Sequence, residues 1–64
     1  MNKFIVELCD RTSITLNALA FNTRPDGVLE FGEWDPTESG TFYASLAFAA
    51  GKWLFVAEVK TDAL

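Results

Sequence analysis

A chain of 64 residues, half of them hydrophobic, with one cysteine and no histidine, is a single domain near the lower size limit for independent folding. The lone cysteine excludes an internal disulfide, and the lack of histidine excludes the zinc sets that mix Cys with His. Nine acids against five bases, a net charge of −4, leave no basic footprint for nucleic acid. A domain this small must draw its stability from its apolar residues or from self-association.

The opening stretch, Met1 to Asp10, does not read as a secretory signal, because its apolar run is short and is broken by Glu7. Residues 3–9, rich in Phe, Ile, Val and Leu, predict a first strand. Cys9 at its end has no visible base beside it and reads as a buried structural thiol. A single thiol fits a reducing compartment, so the expected location is cytoplasmic. Asp10-Arg11-Thr12-Ser13 supplies turn chemistry. Residues 14–22 predict a second strand. The turn sets Leu8 against Ile14, Val6 against Leu16 and Phe4 against Ala18.

Arg24-Pro25-Asp26-Gly27 is the clearest turn in the chain. Proline presets φ, aspartate suits the next position, and glycine takes the left-handed geometry. The turn brings Phe21 near Phe31, in a third predicted strand over residues 28–34. A loop at residues 35–40 returns the chain so that Phe31 lies near Ala44 and Leu29 near Leu46.

Residues 41–49 and 52–60 predict the last two strands, folded about Ala50-Gly51. In that register Phe48 faces Trp53, Leu46 faces Phe55, Ala44 faces Ala57 and Phe42 faces Val59. These apolar pairs share one face because side chains alternate along a strand. The expected fold is an all-β, five-stranded antiparallel meander over residues 1–64, coiled or closed into a small SH3-like barrel. The alternative is an α+β domain with a helix over 36–50, since Asp35-Pro36-Thr37-Glu38 resembles a helix start and Gly51 a C-terminal cap. The uncharged stretch from Ser39 to Gly51 is too short to span a bilayer, which takes about 20 residues.

No motif points to catalysis. The usual general base, histidine, is missing, no glycine-rich phosphate loop is present, and no cofactor or metal site is expected. Asp35 and Glu38 read as capping or solvation. Phe4, Phe21, Phe31, Phe42, Phe48, Trp53 and Phe55 fit the core faces. From Pro25 to Gly51 there is no Lys or Arg, so the acids there form a segment of one sign. The expected function is therefore a non-enzymatic protein-interaction module, a regulator or inhibitor of a larger protein. It meets a basic surface through Glu30, Glu33, Trp34, Asp35 and Glu38, with Trp34 as anchor and the acids as steering charges. The second expectation is a homo-oligomer, a homodimer in the simplest case, with Tyr43, Ala47, Leu54 and Val56 as the apolar contact face. A small nucleic-acid-binding barrel is the third reading, disfavoured by charge, so nucleic acid and membrane are not expected partners.

Overall fold

The computed structural model describes residues 1–60. The apolar runs form six strands and no helix: β1 Asn2–Leu8, β2 Ser13–Ala18, β3 Ala20–Thr23, β4 Leu29–Trp34, β5 Phe42–Phe48 and β6 Trp53–Val59. They make two three-stranded antiparallel sheets, ordered β2-β1-β6 and β3-β4-β5. The expected all-β class holds. The fifth to sixth strand difference arises at Leu19, where the predicted second strand breaks into β2 and β3 and the chain passes from one sheet to the other. Small residues flank the crossing, and the Asn2 side chain donates to the Leu19 carbonyl at 3.0 Å.

The core lies between the two central strands. Phe4 and Val6 of β1, Leu29 and Phe31 of β4, and Ala18 of β2 are buried. The Phe4 ring sits 5.5 Å from both Phe21 and Phe31, joining the sheets through aromatic contacts. Trp53 adds a polar tie: its Nε1 donates to the Gly27 carbonyl at 2.9 Å, linking β6 to the turn before β4. Leu8, Leu16, Phe48 and Val56 pack around this centre.

The hairpin expected at Ala50-Gly51 does not form. The chain turns there, with the Lys52 amide donating to the Ala49 carbonyl at 3.1 Å, but β5 pairs with β4 and β6 with β1. The reason is the sign of one dihedral. Gly51 has φ +79° while Ala50 stays on the negative side, the pattern of a type II turn. Two-residue hairpins need the mirror-image turns, and type II splays the strands it joins. The sheets therefore do not close into a barrel, and the pairs Phe48–Trp53 to Phe42–Val59 are absent.

Two other registers move by two residues. In β1–β2, Val6 opposes Ile14 and Phe4 opposes Leu16; in β4–β5, Leu29 opposes Phe48 and Phe31 opposes Leu46. A shift of two keeps every side chain on its face, so the apolar pattern is satisfied equally well. The Phe21–Phe31 pair is as expected. The helix alternative is replaced by strand over Phe42–Phe48. Asp35 does make the bonds of a helix cap, to the amides of Thr37 and Glu38, but Gly40 at φ +87° turns the chain back. Three aromatics depart from the expected core: Phe55 is 49% and Phe21 38% exposed, although Phe21 still touches Phe4 and Phe31, and Phe42 packs on Trp34 instead. Cys9 is exposed, with Sγ 3.0 Å from the Gly51 carbonyl.

Candidate functional site

The acidic segment begins with Glu30, on the face of β4 opposite Leu29 and Phe31. Its carboxylate is already occupied. It accepts from the Asn22 side chain at 3.2 Å and lies 3.8 Å from the Arg24 guanidinium. Arg24 also pairs with Asp26 at 2.8 Å. Arg24 thus offsets one of the two acids at this end of β4, Asp26 and Glu30, and Glu30 stands apart from the acids at the other end.

At the far end of β4, Trp34 opposes Phe42 across the β4–β5 ladder. The two rings meet edge to face with centroids 4.9 Å apart, and the indole remains 46% exposed. The neighbouring pair, Glu33 and Tyr43, faces the other way, since adjacent residues alternate. A bulge lies between these pairs and the core pairs, opposite the Phe31–Gly32 step. Gly32 is obligatory there: a Cβ at this position would stand 1.9 Å from the Tyr43 carbonyl oxygen.

Asp35 organises the loop beyond Trp34. One carboxylate oxygen accepts from the Thr37 amide, the Thr37 hydroxyl and the Glu38 amide at 2.7–2.9 Å. The other accepts from the Tyr43 hydroxyl at 2.7 Å. The Tyr43 bond, then those from Thr37 and Glu38, stabilise the charged form and hold the carboxyl well below the usual range. The same bond, with Glu33 nearby, pushes the Tyr43 phenol up. Asp35 is thus a loop-builder whose charge is retained, while Glu33 and Glu38 are exposed.

Glu33, Trp34, Asp35 and Glu38 share one end of β4 and its loop, but on two faces: Trp34 lies with Phe42, and Glu33 on the other side with Tyr43, to which Asp35 is bonded. Tyr43, Ala47, Leu54 and Val56 do not form one surface. Val56 opposes Val6 and packs on the core. Leu54 lies at the β6 bulge in the other sheet from Tyr43 and Ala47. Ala47 opposes Glu30, on the face away from the core. Phe42 is the residue that sequence reasoning assigned to the core although it forms the platform for Trp34. The signal was its place in the last pair before the loop, which becomes readable only once the β4–β5 register is known.

No group of three or more His, Cys, Asp or Glu side chains is placed to hold a metal among the described residues. An open depression of about 300 Å³ lies between the sheets, lined by Met1, Leu19, Glu33, Tyr43 and Ala44 among others. No helix among the described residues is long and apolar enough to cross a membrane. No family model, no curated protein and no solved structure matches this chain.

Proposed function

We propose that this chain is a non-enzymatic protein-interaction module that engages a basic surface of a larger protein, as a cytoplasmic regulator or inhibitor. The carrying observation is Trp34, half exposed and seated on Phe42 at the end of β4 from which the chain enters the acidic 35–38 loop. A large ring held rigid at the end of a central strand binds with little loss of side-chain freedom, and such residues dominate contact energies. The surrounding acids raise the encounter rate with a basic partner and exclude acidic ones. Glu30 is left out of this surface because Arg24 and Asn22 hold it.

The test uses two baits in parallel on host extract: the wild-type chain and the double variant Glu33→Lys, Glu38→Lys. The expected result is a basic protein retained by the first and lost from the second. Its association rate should fall with salt for the wild type, while Trp34→Ala should speed dissociation by at least about thirtyfold, the scale of a 2 kcal/mol anchor. Glu30→Gln should bind as wild type. Retention of the same proteins by both baits rules the surface out.

A further inference from the structure

We propose that the open edge of β5 pairs antiparallel with β5 of a second copy, giving a two-fold dimer with a continuous six-stranded sheet. Four strands have an unpaired side among the described residues: β2, β3, β5 and β6. Natural edges are kept monomeric by shortness, charge, proline or bulges. β3 has only four residues. β6 carries Glu58 and is bracketed by Lys52 and Lys60. β2 is polar at alternate positions, with Ser13, Thr15 and Asn17. β5 is seven residues long, with no charge and no proline, and most of it is exposed. Its one protective feature is the bulge opposite Phe31–Gly32, which falls at the strand centre.

The choice of a second copy, rather than a foreign strand, follows from charge. A two-fold contact sets residues near the axis against their own duplicates. In a chain of net charge −4, self-contact through the acidic turns and loops brings like charges together, and only the stretches 12–23 and 39–51 are long and uncharged. The stretch Ser39 to Gly51 holds no charged residue, so duplicates meet there without repulsion. The ends are complementary as well. Running antiparallel, the Glu38 end of each β5 lies at the Lys52 end of the other, and this happens twice. Tyr43 and Leu46, both about half exposed in the single chain, gain neighbours at the seam. Trp34 lies one strand inward, on β4, so the dimer presents two copies of the acidic surface to a partner.

The test is sedimentation of the Cys9→Ser protein from micromolar to millimolar concentration, with isotope-filtered NOE spectra on an equal mixture of labelled and unlabelled chains. The expected result is a monomer–dimer equilibrium with intermolecular contacts centred on residues 42–48 and reaching no further than Glu38 and Lys52. Ser45→Lys sets two ammonium groups at the axis and should weaken the dimer by about tenfold or more. A chain that stays monomeric at millimolar concentration overturns the proposal. So does a dimer whose intermolecular contacts fall outside residues 38–52, a result that the spectra of the Cys9→Ser protein give even where Ser45→Lys does not fold.

Discussion

Arg11 and Gly27 occupy the same left-handed position in two turns built alike. In the first, the Arg11 amide donates to the Leu8 carbonyl at 3.0 Å and the Leu8 amide to Thr12 at 2.8 Å. In the second, the Gly27 amide donates to Arg24 at 2.9 Å and the Arg24 amide to Val28 at 2.9 Å. The residue before each is an aspartate, Asp10 or Asp26, whose carboxylate accepts from the amide two residues on. The φ values are +72° for Arg11 and +91° for Gly27. Glycine adopts this region freely and arginine does not. Arg11→Gly should therefore stabilise the fold by about 0.5–1 kcal/mol, the strain relieved less the entropy given to the unfolded chain. Urea denaturation reads it as a raised midpoint with an unchanged slope. A lowered midpoint would show that the Arg11 side chain contributes more than its backbone strain costs.

Gly32 faces the opposite demand, since any side chain there meets backbone and not a flexible tip. The Tyr43 carbonyl lies within 1.9 Å of where a Cβ would be, so relief requires β4 and β5 to separate. Gly32→Ala should cost about 3 kcal/mol or more, at the upper end of overpacking effects. Cross-strand NOEs between Glu33 and Tyr43 should disappear before the β1–β2 contacts do. Unchanged NOEs with wild-type stability would mean the bulge can absorb a methyl group.

These two glycines also show where sequence reading succeeds. Pro25-Asp26-Gly27 names its own turn, and with it the Phe21–Phe31 pair, because each residue type has a local reason to be there. The end of β4 is equally legible, since Glu33-Trp34-Asp35 sits where a strand must stop. Alternation along β1, β2, β4 and β5 marks which side chains share a face. It is blind to a shift of two, which is why Phe4 could be set against Ala18 when it opposes Leu16. It is also blind to the backbone sign at Ala50, and that sign separates a hairpin from two strands in different sheets. The exposure of Cys9 follows from the same error. Its amide and thiol meet the 49–52 turn at the surface, where a closed barrel would have covered them.

Phe31 and Phe55 have the same side chain and both lie mid-strand, yet they should respond very differently to truncation. Phe31 is 1% exposed and touches rings from both sheets. Phe31→Ala should cost about 3–5 kcal/mol. A chain of this length is stable by roughly 3–10 kcal/mol, so the variant should lose a large share of that total and melt at a much lower urea concentration. Phe55→Ala, at a half-exposed position on the outer face of β6, should cost less than about 1.5 kcal/mol, since only the buried part of the ring is lost. Circular dichroism with urea melts separates the two. Equal losses would mean that β6 is covered in solution on the side exposed in the single chain.

The bond between Tyr43 and Asp35 should give the 35–41 loop two pH limits, one for each partner. Asp35 has its carboxyl depressed in the fold. Its contribution is present above the ordinary carboxylate pKa of about 3.9 and is lost as pH falls through the lower folded value. Tyr43 has its phenol raised. Its contribution is present below the ordinary value of about 10 and is lost as pH rises through the higher folded value. Tyr43 is the chain's single tyrosine, so absorbance at tyrosinate wavelengths reports its ionisation alone. The expected titration midpoint lies above about 10 in the wild type and moves down towards about 10 in Asp35→Asn, with partial burial and Glu33 still holding it up. Exchange of the Thr37 and Glu38 amides should quicken beyond both limits. In Tyr43→Phe the alkaline limit should vanish while the acid limit persists, held by the bonds from Thr37 and Glu38. A wild-type midpoint at the ordinary tyrosine value would mean that the hydroxyl and the carboxylate are not joined in solution.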